Sequence, residues 1–127
     1  MPVMSVLVID DERWLRELFV NVLSGAGYKA TGAANVEEAL DALAGRVPSV
    51  VVVDLLIPSL NGLDFLDILR RRSTRGRLPL IVVSAATEAQ RQRARSSGHI
   101  LLLKPFHVTQ LLEALRQATA RPVPIAS

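Results

Sequence analysis

Five polar residues that could do chemistry each follow a short apolar run. Asp10 and Asp11 follow SVLVI, Asp54 follows VVVV, Ser84 follows LPLIVV, and Lys104 follows ILLL. Apolar runs without polar alternation are typical of strands that are covered on both faces of a parallel sheet. Since ligands bind at the carboxyl ends of such strands, we expect the five side chains to lie at one edge of a sheet.

The types of these residues favour phosphoryl transfer. Asp10, Asp11 and Asp54 supply the oxygen ligands that Mg²⁺ prefers, and Mg²⁺ usually takes only one or two protein carboxylates. An aspartate can itself be the nucleophile and form an acyl phosphate. Ser84 would add a hydroxyl donor and Lys104 a compact cation, which could neutralise charge on the transferred group. We therefore predict phosphoryl transfer to Asp54.

The turn after the first predicted strand excludes a nucleotide-binding alternative. A dinucleotide-binding fold needs a Gly-x-Gly-x-x-Gly turn there, so that backbone amides can approach a pyrophosphate. The turn here is Asp-Asp-Glu, which would repel phosphate. The acidic residues have a structural explanation as well, since negative charge favours the start of a helix through its dipole.

Strand and helix patterns alternate five times along the chain. The predicted strands cover 5–9, 28–32, 50–53, 78–83 and 100–103. The first helix is expected to turn an apolar face that includes Trp14, Leu18 and Phe19 to the core and to end at Gly25–Gly27. Asn35 with Glu38 predicts the N-terminus of the second helix. The last helix is expected to turn Val108 and Leu111 inward.

This order predicts an α/β fold, a doubly wound five-stranded parallel sheet of the flavodoxin-like kind. Its strand order would be 2-1-3-4-5, with five helices on the two faces and a ligand site between strands one and three. We expect one domain over residues 1–120, followed by a tail or truncated linker over 121–127, which contains two prolines.

Composition narrows the class of protein further. The chain has 127 residues and no cysteine, which excludes disulfides and thiolate metal sites. No apolar run could span a bilayer, and no basic segment precedes a long apolar one, so we expect a cytoplasmic protein without a signal peptide. The stretch from 66 to 104 is strongly basic, but it carries no recognised nucleic-acid-binding motif.

Together these motifs resemble the receiver domain of bacterial two-component response regulators. The resemblance rests on Asp10-Asp11, on Asp54 in a D-L-x-x-P-x-x-N-G context, on Ser84-Ala85 and on Lys104-Pro105-Phe106. It covers roughly residues 3–118. Each motif alone is weak, and their combination at strand ends is specific.

The resemblance implies a role for each site residue. Asp54 would accept phosphate from a sensor histidine kinase or a histidine phosphotransfer protein. Asp10 or Asp11, together with Asp54 and the main-chain carbonyl of Leu56, would hold Mg²⁺. Ser84 and Lys104 would contact the phosphoryl group. Such a domain is not an enzyme with a separate substrate, because it catalyses only its own phosphorylation and dephosphorylation.

Two departures from the family pattern concern signal output. Leu101 stands where members usually carry an aromatic residue, and the segment from Ser84 to Lys104 is shorter than usual. Both changes fall on the face formed by the fourth helix, fifth strand and fifth helix, which the family uses for homodimers or output partners.

The sequence offers two alternatives to a phosphoacceptor function. A degenerate receiver would bind a partner without phosphorylation, and the intact acidic set with Lys104 argues against it. A hydrolase of the haloacid dehalogenase type would want a second aspartate two residues after Asp54, where this chain has Leu56.

Overall fold

The computed structural model describes residues 4–45, 48–54, 79–84, 100–103 and 106–120. Within these ranges five strands and three helices form, and they are, in chain order, β1 (Ser5–Ile9), α1 (Arg13–Gly25), β2 (Lys29–Ala33), α2 (Val36–Gly45), β3 (Val50–Asp54), β4 (Leu80–Ser84), β5 (Ile100–Leu103) and α3 (Val108–Ala120). The helix α3 is the last of the five predicted from the sequence, and the predicted third and fourth helices lie outside the described residues.

The strands form one parallel sheet in the order β2-β1-β3-β4-β5. This confirms the predicted sheet and its strand order. Side chains alternate between the two faces, so that Val6 and Val8 pack in one core and Leu7 and Ile9 in the other. Because both faces of the central strands are covered, β1, β3 and β4 are almost wholly apolar, whereas the edge strand β2 has the sequence KATGA and is largely exposed.

Two cores hold the helices against the sheet. Leu23 of α1 and Leu115 of α3 are fully buried on one face, and Ala39 and Leu43 of α2 are buried on the other. The rings of Phe19 in α1 and Phe106 before α3 stack with centroids 5.7 Å apart. Stacked rings at this distance add to the burial energy, so they fix the start of α3 beside α1.

The end of α1 explains why β2 begins one residue later than predicted. Gly27 has φ +98°, a left-handed conformation that favours glycine. The Gly27 N–H donates to the Ser24 carbonyl, and the Tyr28 N–H donates to the Leu23 carbonyl at 3.0 Å. This pattern is a Schellman cap. Since Tyr28 belongs to the cap, the first strand residue is Lys29.

The predicted cap of α2 is confirmed. Asn35 Oδ1 accepts the Glu38 N–H at 2.8 Å, and Glu38 Oε1 accepts the Ala34 N–H at 2.8 Å. The two side chains therefore satisfy backbone donors at the start of the helix, where no carbonyl is available.

Three predicted core positions are wrong. Trp14 is 66% exposed, Leu18 is 46% exposed, and Val108 is 48% exposed. In α1 the buried positions are Phe19 and Leu23, four residues apart. A helix turns about 100° per residue, so Leu18 lies about 100° and Trp14 about 140° around the helix from Phe19, away from the buried face. Within the described ranges, no helix is both long and apolar enough to cross a membrane.

Candidate functional site

Asp10 continues β1 by one residue and is held through several of its polar atoms. Its N–H donates to the Ala33 carbonyl at 3.1 Å, which extends the pairing with β2. Its Oδ1 accepts the Glu12 N–H at 2.9 Å, and its carbonyl accepts a hydrogen bond from Arg16 Nη1 at 2.8 Å. Asp10 is only 1% exposed, so both its backbone and its carboxylate are fixed within the protein.

Asp54 is the last residue of β3 and is 5% exposed. It pairs with Val83 of β4, and the preceding Val53 pairs with Ile9 of β1. A central strand places its final residue between two neighbours, which explains the burial of this carboxylate.

The structure brings Asp10 and Asp54 together. Each lies one position beyond the paired residues Ile9 and Val53 of adjacent parallel strands. Among the residues that the structure describes, these two are the buried polar or charged ones. The pair lies at the carboxyl edge between β1 and β3, where the strand order reverses and where ligands bind in this class of fold.

The structure describes only some of the other predicted site residues. Asp11 follows Asp10 and is exposed. Ser84 ends β4, and its backbone pairs with Leu103, the residue before Lys104. Leu56 and Lys104 lie outside the described residues. Within the described ranges, no group of three or more histidine, cysteine, aspartate or glutamate side chains is arranged to hold a metal.

The donors that are present fit Mg²⁺ better than a softer metal. Asp10 and Asp54 provide carboxylate oxygens, and the chain has no thiolate to offer. Mg²⁺ is commonly held by one or two carboxylates and completes its shell with water and phosphate oxygens. The two buried carboxylates therefore fit Mg²⁺, and the exposed Asp11 next to Asp10 could supply a further oxygen ligand.

Two residues at this site were missed in the sequence. Arg16 reaches from α1 to the carbonyl of Asp10, and its aliphatic stem passes over Gly32 of β2. One signal was available, because Arg16 is a cation beside Leu15 on the inner side of an amphipathic helix, one turn after an acidic pair. Nothing in the local pattern indicated that it would pass over β2 and reach the residue that follows β1.

Comparisons with known proteins agree with this fold. The family model of the response regulator receiver domain matches residues 6–116. The chain therefore belongs to the receiver domain family of two-component response regulators. Members of this family generally use Mg²⁺ and work with histidine kinases.

Relatives and solved structures show how far the similarity extends. Response regulator MprA of Mycolicibacterium vanbaalenii is 36% identical over 126 residues, which are 98% of this chain and 53% of that protein. Chemotaxis protein CheY4 of Vibrio cholerae has a TM-score of 0.83 at 27% identity, covering 92% of this chain and 99% of that one. NtrX of Brucella abortus has a TM-score of 0.84 at 27% identity, covering 94% and 27%. The chain spans about half the length of the curated relatives it matches.

Proposed function

We propose that Asp54 is the phosphoacceptor of this receiver domain and that its phosphorylation depends on Mg²⁺. The observation that carries the proposal is the burial of Asp10 and Asp54 side by side at the carboxyl edge of the sheet. Burying a carboxylate is costly unless another interaction compensates it. Two such groups at one edge indicate a site built for a cation and for the oxyanion chemistry of phosphate.

The reaction follows from the chemistry of the carboxylate. An Asp54 carboxylate oxygen attacks the phosphorus of a phosphohistidine donor, and a P–O bond forms as the P–N bond breaks. The leaving imidazole nitrogen takes the electron pair and then a proton. Water later attacks the phosphorus of the acyl phosphate, which releases inorganic phosphate and restores the Asp54 carboxylate.

Asp10 and Asp54, with Asp11 and the main-chain carbonyl of Leu56, are the residues that would hold Mg²⁺. When bound, the ion would supply positive charge against the phosphoryl oxygens. Asp10 is already fixed by the Glu12 N–H and by Arg16. This pre-organisation limits the movement that binding would otherwise have to arrest.

Ser84 and Lys104 would complete the site from the side of β3 that faces β4 and β5, opposite β1. Ser84 ends the neighbouring strand β4, and Lys104 follows β5, whose last residue pairs with Ser84. From these positions the serine hydroxyl would donate to a phosphoryl oxygen and the lysine would neutralise its charge. Phe106, two residues after Lys104 in the sequence, stacks on Phe19 of α1.

The partners follow from the class of reaction. The donor would be a sensor histidine kinase or a histidine phosphotransfer protein in the cytoplasm. The output would be a homodimer or another partner on the face of β5, α3 and the predicted fourth helix. The domain would act on its own aspartate and would not be an enzyme with a separate substrate.

The test uses a small donor with a P–N bond. The chain is incubated with phosphoramidate and Mg²⁺, and its intact mass is measured with and without a chelator. We expect one phosphoryl group on the wild type and on Asp41→Asn, a matched substitution of an exposed aspartate in α2. We expect none on Asp54→Asn. Phosphate on Ser84 or on a histidine would show that the assignment is wrong, and no uptake by any variant would favour a degenerate receiver.

A further inference from the structure

We propose that Arg16 is a positioning residue for Asp10 and Asp11, and that position 32 is a glycine because a larger residue would clash with the Arg16 side chain. The guanidinium of Arg16 would set the orientation of the peptide that joins Asp10 to Asp11. This inference rests on the proposed function, because it concerns how Asp10 and Asp11 are presented to Mg²⁺. It assigns a role to two residues that do not themselves bind the ion or the phosphoryl group.

The contact is short and lies next to the acidic pair. Arg16 Nη1 donates to the carbonyl oxygen of Asp10 at 2.8 Å, and the Arg16 side chain is half-buried. The Arg16 N–H also donates to the Glu12 carbonyl at 2.9 Å, so the residue is anchored at its backbone. A planar guanidinium on a fixed backbone holds its acceptor in a defined direction, which a flexible ammonium does less well.

The carbonyl in question controls where Asp11 lies. The oxygen that Arg16 holds belongs to the Asp10–Asp11 peptide, and a peptide unit is rigid and planar. Fixing the direction of this carbonyl therefore fixes the Cα of Asp11 relative to Asp10. The Asp10 carboxylate is independently held by the Glu12 N–H. Arg16 is thus the group that relates the second aspartate to the first.

Gly32 supplies independent evidence for the same arrangement. A Cβ built on Gly32 would lie 2.9 Å from both Cδ and Cγ of Arg16, closer than real Cβ atoms approach. The backbone of Gly32 does not need glycine, since Gly27 is the one glycine with positive φ among the described residues. Glycine weakens a strand interior and often marks a close approach by another group. Here that group is the stem of Arg16.

The direction in which loss of Arg16 changes the affinity for Mg²⁺ distinguishes a positioning role from simple electrostatics. Removing a cation near carboxylates should strengthen binding of Mg²⁺ if only long-range charge matters. Removing a residue that orients a metal ligand should weaken binding of Mg²⁺. Loss of a residue that hydrogen-bonds to a metal ligand typically lowers metal affinity by about 10–100-fold. We expect Arg16→Met to raise the dissociation constant of Mg²⁺ about tenfold, at the lower end of that range.

The experiment titrates the unphosphorylated chain with MgCl₂ in a calorimeter, at a temperature where every variant is folded. The test variants are Arg16→Met, Arg16→Lys and Gly32→Ala, and the matched controls are Arg13→Met and Gly25→Ala. Arg13 is on the same helix but is exposed and paired with Glu17, and a Cβ on Gly25 would meet no atom within 4 Å.

Five results are expected together. Arg16→Met weakens Mg²⁺ binding, and Arg16→Lys weakens it less because a donor and a charge remain. Gly32→Ala also weakens it, and adding Gly32→Ala to Arg16→Met has no further effect, since the two residues act through one contact. Neither control weakens binding of Mg²⁺. Arg13 forms only an exposed ion pair, which contributes little, and a Cβ on Gly25 would meet no atom within 4 Å. A merely structural role for Arg16 would lower the melting temperature without changing the dissociation constant.

The outcomes separate this inference from the proposed function. If the wild type binds Mg²⁺ and is phosphorylated, but Arg16→Met binds Mg²⁺ equally or more tightly, only the role of Arg16 is overturned. An equal loss in Arg13→Met would also overturn it, by showing a general effect of charge on α1. If the wild type itself does not bind Mg²⁺, the proposed function fails and this inference fails with it.

Discussion

Replacing Asp54 by asparagine should stabilise the protein in the absence of Mg²⁺. The substitution keeps the size and shape of the side chain and removes one of two buried negative charges. Asp10 and Asp54 follow paired residues of adjacent strands, and neither is more than 5% exposed. Their mutual repulsion is therefore only weakly screened by solvent.

The magnitude follows from the geometry of the sheet. Neighbouring strands lie about 4.8 Å apart, and two unit charges at that distance repel by about 3.5 kcal/mol at an effective dielectric constant of about 20. Hydrogen bonds to the carboxylates, such as the one from Glu12 to Asp10, offset part of this cost. We expect the free energy of unfolding to rise by about 1–2 kcal/mol, which for a domain of this size raises the melting temperature by about 4–8 °C.

The assay is thermal unfolding followed by circular dichroism, first with a chelator and then with Mg²⁺. At a Mg²⁺ concentration about ten times the dissociation constant, the wild type gains about 1.4 kcal/mol, which closes most of the gap to Asp54→Asn. Asp41→Asn is the matched control, because Asp41 is exposed and its loss should have little effect. A lower melting temperature for Asp54→Asn in chelator would refute the idea that the two charges repel.

Three other outcomes are expected. Asp11→Ala should abolish the rise in melting temperature that Mg²⁺ produces in the wild type, and an unchanged rise would count against Asp11 as a ligand. Leu23→Ala should lower the free energy of unfolding by about 3–5 kcal/mol, because Leu23 is fully buried, whereas Leu18→Ala should cost far less, as urea denaturation would show. Asn35→Ala should cost about 1 kcal/mol through loss of the cap of α2, and an equal stability in urea would show that the cap is dispensable.

The elements that were predictable from the sequence are those with strong local signals. The strand β1 was predicted as 5–9 and β5 as 100–103, and the structure agrees, because charged residues follow apolar runs directly at both. The predicted 78–83 strand begins at Leu80, since Pro79 has no N–H to give to the ladder. The sheet order followed from the alternation of strands with helices long enough for crossovers.

The features that were not predictable depend on how elements meet. Trp14 precedes Leu15 and lies four residues before Leu18, but packing centres the buried face of α1 on Phe19 and Leu23. The tryptophan lies about 140° around the helix from Phe19 and is therefore exposed. The start of β2 depends on Tyr28 being used by the cap of α1. The reach of Arg16 to Asp10 depends on the distance between a helix and two strands, which no local pattern contains.

In the candidate site as well, some features follow from local sequence signals and others depend on how the elements pack. The placement of Asp10 and Asp54 at one sheet edge could be predicted, because it follows from two apolar runs that each end in a carboxylate. The roles of Ser84 and Lys104 came from their residue types at strand ends, the role of Leu56 came from the family resemblance, and all three stay predictions. The support from Arg16 and Gly32 became visible only in three dimensions.

Chemical trapping of the acyl phosphate would show directly whether the phosphoryl group is carried by the Asp54 carboxylate. An acyl phosphate is reduced by borohydride to an alcohol, whereas a phosphate ester on a hydroxyl is not. After phosphorylation with phosphoramidate and Mg²⁺, borohydride reduction and peptide mass spectrometry should find homoserine in place of aspartate at position 54 and at no other aspartate. Homoserine at position 10 or 11, or a borohydride-resistant phosphate on Ser84, would contradict the account.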